Sequence, residues 1–285
     1  MNKLDIKIAF FDIDGTLTNK DRILTNETIN TLNKLNELGI KIVLCSGRPN
    51  NYLYDLSKKV KGIRYGISSN GAQIFDYLNK KIVYDNKIDS KDLNIVWNYT
   101  INNKYEIIIN SDFKRYINIY TNNNKNDFIL LNDLNIIKNN NIYQLVINFN
   151  NYDEMNKIKD YINKNTSLKV INCSFDYLNK SVYGYHWFDV VNNNVSKGSA
   201  IKILLNKLNI DKSNSICFGD SINDIEMFNE CGIKVAMGNA LNELKQISDY
   251  ITDTNDNNGI SKFFNENLFN NKKWIKVHFF IYINT

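Results

Sequence analysis

Proline is almost missing from this chain: Pro49 is the only one in 285 residues. Turns therefore have to be read from Gly, from Asn and from breaks in the apolar period. Histidine is scarce too, with only His186 and His278; neither stands in a motif, and both read as packing or surface residues. The four cysteines, Cys45, Cys173, Cys217 and Cys231, make no CxxC pair and no metal-finger spacing. Cys45 and Cys217 lie in or beside apolar runs, as free buried thiols do, which suits a reducing cytoplasm. No apolar run reaches the roughly 18 residues that cross a bilayer, and no signal-peptide pattern opens the sequence. A basic stripe is lacking as well. The net charge of +5 comes from 35 Lys and Arg against 30 Asp and Glu, and the lysines are scattered, as a bias toward Asn, Ile and Lys would leave them. These absences predict a soluble cytoplasmic protein with neither nucleic acid nor membrane as partner.

What is present suffices for a core. Apolar residues make up 43% and charged residues 23% of the chain, which excludes disorder as the whole description. At roughly 150 residues per domain, the length suggests two domains. Asn triplets at 122–124, 139–141 and 192–194 read as surface loops, because Asn favours turns and tolerates left-handed backbone.

The first third alternates strand and helix. Residues 6–11 and 40–45 are short apolar runs of the kind buried on both faces of a parallel sheet. Residues 25–38 carry Ile29, Leu32, Leu35 and Leu38 at helical spacing, and Gly39 follows as a stop. Pro49 suits the first turn of another helix, where its missing N–H costs nothing. Residues 64–69 read as a third strand and 73–85 as a hairpin turning near Asn79 and Lys80. The last third resumes the alternation with a helix at 197–208, a strand at 215–219, a helix at 224–231 closed by Gly232, and a strand at 233–237. This grammar predicts an α/β fold, a doubly wound, Rossmann-like parallel sheet.

Residues 86–186 differ in texture. They are rich in Tyr, alternate at 116–120 and 143–149, and contain one clear helix at 153–162. They read as an α+β module inserted into the core, able to close over a site as a lid. The expected division is core 1–85, inserted cap 86–186, core 187–269 and an apolar tail 270–285, with hinges near 83–88 and 186–194.

Four pieces carry chemistry. In Phe10-Phe11-Asp12-Ile13-Asp14-Gly15-Thr16-Leu17, two carboxylates follow a buried strand, and period 2 puts Asp12 and Asp14 on one side. Acids that close repel unless a cation or proton intervenes, and hard oxygen ligands suit Mg²⁺. Cys45-Ser46-Gly47-Arg48-Pro49 offers a hydroxyl and the exposed N–H groups of Ser46 and Gly47 at a helix start, which can bind phosphate oxygens. Lys197 opens a helix, where the dipole prefers anions, so an anionic ligand would resolve the misfit. Phe218-Gly219-Asp220-Ser221-Ile222-Asn223-Asp224 adds two carboxylates and an amide. Each piece alone also fits an Asx turn, a helix cap or a solvated lysine. Together they do not, because ligands of an open α/β sheet bind at the carboxyl ends of its strands, where Asp12, Asp14, Ser46 and Asp220 would gather. Four carboxylates, a hydroxyl and a lysine at one point suit a phosphoryl group with Mg²⁺.

In this order, the DxDGT stretch at 12–16, Ser46, Lys197 and the GDxxND stretch at 219–224 resemble the motifs of the haloacid dehalogenase superfamily of phosphohydrolases. The insertion resembles the type B cap of its Cof-like subfamily, chiefly by position and size. Ser68-Ser69-Asn70-Gly71-Ala72, Met237-Gly238-Asn239-Ala240, Asp249-Tyr250-Ile251-Thr252 and Asn258-Gly259 extend the likeness, which runs from about residue 6 to about residue 265. The resemblance implies Asp12 as nucleophile and metal ligand, and Asp14 as acid and base, with its carbonyl on the Mg²⁺. It implies Asp220 and Asp224 as the rest of the metal set, Asp224 directly or through water. Ser46, Lys197, Asn223 and the amides of Ile13 and Gly47 would hold phosphate, and Asn70 would face the cap as a substrate contact.

The expected function is Mg²⁺-dependent hydrolysis of small phosphorylated metabolites, sugar phosphates first, through an aspartyl-phosphate. Flavin mononucleotide and pyridoxal phosphate stay open as substrates. A sugar phosphomutase and a silent phospho-ligand binding protein are the alternatives; the lack of membrane helices removes a P-type pump. A monomer or homodimer is expected. Residues 274–283 are apolar and β-prone, an added strand or oligomer contact, or else an exposed aggregation-prone segment.

Overall fold

Strand β1 (Ile8–Asp12) is buried along its whole length, which is why its sequence is a continuous apolar run ending in one acid. The computed structural model describes residues 5–119, 127–172 and 186–269. Helix α1 (Asn26–Glu37) follows, capped by Thr25, whose side chain accepts from the Thr28 N–H, and buries Leu32 and Leu35. After it come β2 (Lys41–Cys45), α2 (Asn50–Ser57), β3 (Ile63–Ser68) and the hairpin β4 (Gln73–Asp76) and β5 (Lys81–Asp85). Lys80 turns that hairpin with φ 52°.

The insertion begins with α3 (Ser90–Asn102), which the sequence reading did not anticipate. Its N-cap Asp89 accepts from the Asp92 N–H, and it buries Leu93, Val96, Trp97 and Thr100. That is a helical stripe, diluted by Asn, Tyr and Thr. Strands β6 (Ile107–Asn110), β7 (Arg115–Ile117), β8 (Ile129–Leu130) and β9 (Gln144–Phe149) lead to α4 (Tyr152–Asn165), β10 (Leu168–Asn172) and β11 (His186–Asn192). These strands form a six-stranded sheet ordered β10-β11-β9-β6-β7-β8. Its core packs Trp97, Ile107, Leu145, Ile158, Ile162 and Phe188, and Tyr99 of α3 stacks on Tyr161 of α4 with centroids 3.8 Å apart. Residues 187–192, expected in the returning core, instead run in this sheet, because β11 pairs with both β9 and β10. His186 stacks on Phe149 there.

The chain returns through α5 (Lys197–Leu208), β12 (Ser215–Gly219), α6 (Ile225–Asn229), β13 (Ile233–Ala236), α7 (Asn242–Gln246), β14 (Tyr250–Ile251) and α8 (Gly259–Phe264). The larger sheet is ordered β14-β13-β12-β1-β2-β3-β4-β5. Its members from β14 to β3 are parallel, and the β4–β5 hairpin runs antiparallel at the edge. The order reverses at β1, with the early strands on one side and the late ones on the other, so β1 is the switch point of a doubly wound sheet. Helix α1 packs on α8 and α5 on α6. Phe11 stacks on Phe218 with centroids 5.2 Å apart, and Phe263 and Phe264 close around the same ring. Cys45, Cys217 and Cys231 are free and buried. Cys173, His278, the 122–124 triplet and the 270–285 tail lie outside the described residues. No described helix is long and apolar enough to cross a membrane.

Candidate active site

Asp12 ends β1 opposite Cys45 of β2, and the chain leaves the strand at once. The amides of Leu17 and Thr18 and the Thr18 hydroxyl all donate to the Ile13 carbonyl, which coils the loop over the strand end. Gly15 makes the coil with φ +81°, and a Cβ there would lie 2.4 Å from Asp220 Oδ2. The position therefore needs glycine twice, for its backbone and for the approach of Asp220.

Lys197 opens α5 behind a Ser196–Ser199 capping box. Instead of facing solvent, its side chain is 1% exposed. Nζ donates to Asp12 Oδ1 at 2.5 Å, to Asp224 Oδ1 at 2.6 Å and to Asn223 Oδ1 at 3.4 Å. Two carboxylates of the fold thus answer the misfit of a cation at a helix N-terminus. Burial works against the charge, but Asp12 and Asp224 outweigh it and hold the ammonium above the ordinary lysine range.

Asp220 and Asp224 arrive on the loop after β12. Asp224 Oδ2 accepts from the amides of Asp220 and Ser221 at 3.0 and 3.1 Å, so it shapes the loop while its other oxygen holds Lys197. Asp220 accepts from Thr16 Oγ1 at 2.8 Å. Burial pushes the Asp12 carboxyl well above the usual carboxylate range; Lys197 opposes this, and Asp224 and Asp220 add to it. Burial and the neighbouring Asp224 push Asp220 up to about 7. Three carboxylates against one ammonium leave excess negative charge. One oxygen from each of Asp12, Asp220 and Asp224 lies within 4.8 Å of the others. An all-oxygen set of this kind could hold a hard divalent cation.

Ser46 follows β2 and is 2% exposed. Its amide donates to the Ile67 carbonyl at 2.9 Å, so the expectation of an exposed Ser46 N–H is corrected: parallel pairing with β3 continues one residue past the strand. The Gly47 N–H has no partner among the described residues, and the Ser46 hydroxyl accepts from the Arg48 amide at 3.1 Å. Asn70 is buried with φ 57°. Its Nδ2 donates to Asp189 Oδ2 of β11 at 2.6 Å, while its Oδ1 has no partner among the described residues. The structure thus gathers Asp12, Lys197, Asn223, Asp220 and Asp224 into one contact network. Asp14 lies apart from that carboxylate group and pairs with Arg48.

Three further residues contact the site. Arg48 and Thr16 stand inside the quoted motifs, but nothing in their spacing shows that one meets Asp14 and the other Asp220. Gln144 of the cap donates to the Gly47 carbonyl at 2.9 Å, a contact across 97 positions that no local pattern encodes.

The profile of the haloacid dehalogenase-like hydrolases matches residues 9–264. The chain is 26% identical over 259 residues to the 5-amino-6-(5-phospho-D-ribitylamino)uracil phosphatase YcsE of Bacillus subtilis, covering 91% of this chain and 94% of that protein. A putative phosphatase of Buchnera aphidicola is 28% identical, covering 95% and 98% of the two chains. Among solved structures, a haloacid dehalogenase-like hydrolase from Bacteroides thetaiotaomicron superposes with a TM-score of 0.82 at 23% identity, over 92% of this chain and 99% of that one.

Proposed function

Because the chain belongs to the haloacid dehalogenase-like hydrolases and is a phosphatase, we propose that it hydrolyses small phosphorylated metabolites, sugar phosphates foremost, through an aspartyl-phosphate on Asp12 with Mg²⁺. The observation that carries this reading is the buried Asp12 carboxylate at the switch point of the sheet. Lys197 holds it at 2.5 Å, and Asp220 and Asp224 stand within reach of a shared cation.

Burial disfavours the Asp12 anion and Lys197 favours it; as the anion, Asp12 is a nucleophile that needs only orientation. An Asp12 oxygen bonds to phosphorus as the bond from phosphorus to the ester oxygen breaks. Asp14 gives its proton to the departing alkoxide. Asp14 then takes a proton from water, the water oxygen bonds to phosphorus, and the acyl-phosphate bond opens to release phosphate and restore Asp12. Ser46, Lys197, Asn223 and the amides of Ile13 and Gly47 hold the phosphoryl oxygens. Asp12, Asp220, the Asp14 carbonyl and, directly or through water, Asp224 would hold Mg²⁺, which supplies charge neutralisation on those oxygens. One relative is named for a phospho-D-ribityl substrate, which favours a polyhydroxylated leaving group.

The test is phosphate release from a panel of sugar, alditol and cofactor phosphates, with Mg²⁺ and with chelator, by wild type and Asp12→Asn. Release that needs Mg²⁺ and disappears in Asp12→Asn is expected. Equal release from both proteins, or an isomerised sugar phosphate as the product, would overturn the reading.

A further inference from the structure

Gln144, the first residue of β9, is 1% exposed and donates from Nε2 to the Gly47 carbonyl at 2.9 Å. That carbonyl belongs to the same planar peptide as the Arg48 N–H, which donates to Ser46 Oγ. A trans peptide holds its C=O and N–H rigidly opposed, so fixing one aims the other. A serine hydroxyl has one proton and can also accept. With its oxygen already accepting from Arg48, Ser46 keeps its proton for a phosphate oxygen.

The chain of bonds continues back into the cap. Gln144 Oε1 accepts from Asn110 Nδ2 at 2.8 Å, and Asn110 Oδ1 accepts from Arg115 Nε at 3.2 Å. Every donor points the same way, from the Arg115 charge toward Ser46, and hydrogen bonds in series polarise one another. A second grip meets the same residue, because the Asn70 amide tied to Asp189 lies over Gly47, where a Cβ would sit 3.0 Å from Asn70 Oδ1.

We propose that Gln144 is a positioning residue that couples seating of the cap to the phosphate loop, by aiming the 47–48 peptide at Ser46. The inference rests on Ser46 being a phosphate ligand. With the cap displaced, the Gly47 carbonyl loses its donor, the peptide is free to turn, and phosphate is held less tightly.

The test measures binding of inorganic phosphate, by calorimetry and as product inhibition, to full-length wild type, Gln144→Met, Ser46→Ala and the double variant in Mg²⁺. Gln144→Met is expected to weaken phosphate binding about tenfold, the scale of one buried hydrogen bond. The double variant should bind no worse than Ser46→Ala alone, because the relay ends at Ser46. Gln144→Glu, which keeps the side-chain length but sets an acceptor against the Gly47 carbonyl, should reproduce the loss if Gln144→Met does not fold. Additive losses, or full affinity in both Gln144 variants beside a weakened Ser46→Ala, would overturn the relay alone. Full affinity in Ser46→Ala would overturn the phosphate-site reading beneath it.

Discussion

Arg48 holds Asp14 with two nitrogens: Nε lies 2.5 Å from Oδ2 and Nη2 lies 2.7 Å from Oδ1. The same guanidinium lies over the Tyr52 ring, 4.2 Å from its centroid. A fork-to-carboxylate pair sets the plane of the carboxylate as well as its position. Arg48 therefore determines where the proposed proton carrier waits, and it does so from the loop that also carries Ser46.

Arg48→Lys keeps the charge and loses the fork. Misplacing the Asp14 carboxylate is expected to lower kcat by about ten- to a hundredfold. Stability should change little, because the two side chains are 29% and 41% exposed and such pairs contribute at most about 1 kcal/mol. Steady-state kinetics beside a urea melt separates the two effects; unchanged kcat would remove Arg48 from this role.

Lys197 is different because it is buried between two acids. Lys197→Met leaves Asp12 and Asp224 without their cation, and breaking a buried pair on one side costs about 3–5 kcal/mol. Urea unfolding of the metal-free protein should show that loss, along with the disappearance of phosphate release. A variant as stable as wild type would mean that the acids are held neutral.

Asp220 carries a pH dependence with a definite sign. Its folded value is raised to about 7, whereas an unfolded aspartate titrates near ~3.9. The native state thus binds more protons than the unfolded chain between those values. Its contribution is complete below the lower value and is lost as pH rises through the upper one. Metal-free Asp220→Asn should therefore gain stability relative to wild type as pH rises from about 4 to about 7, and keep that gain above it. Because a ligand must shed its proton to bind metal, Mg²⁺ affinity in wild type should fall below about pH 7, approaching tenfold per unit. Thermal melts across pH and Mg²⁺ calorimetry check the two halves, and a flat difference between wild type and variant would refute the first.

The core was legible because its signals are local. Buried parallel strands need apolar runs such as residues 8–11, and α1 announces itself through Thr25, Leu32, Leu35 and Gly39. The insertion was harder. In α3 the stripe of Leu93, Val96 and Trp97 is interrupted by Asn, Tyr and Thr, and β11 reads the same whether it joins the cap sheet or returns to the core. Strand partnership decides that, and partners lie far away in sequence.

The fold class and the identity of the acids, hydroxyl and lysine were readable from local pattern, since strand ends and glycine turns place those groups wherever the chain repeats its strand–helix unit. Long-range packing, by contrast, sets the sharing of Lys197 by Asp12 and Asp224, the pairing of Arg48 with Asp14 and the reach of Gln144 to Gly47. Those pairings join residues 27 to 185 positions apart. Burial chooses the partners of Lys197 and Gln144, because a charge or amide removed from water must find one among whatever the packed fold brings beside it; the half-exposed Arg48 meets Asp14 because the fold sets their two loops side by side.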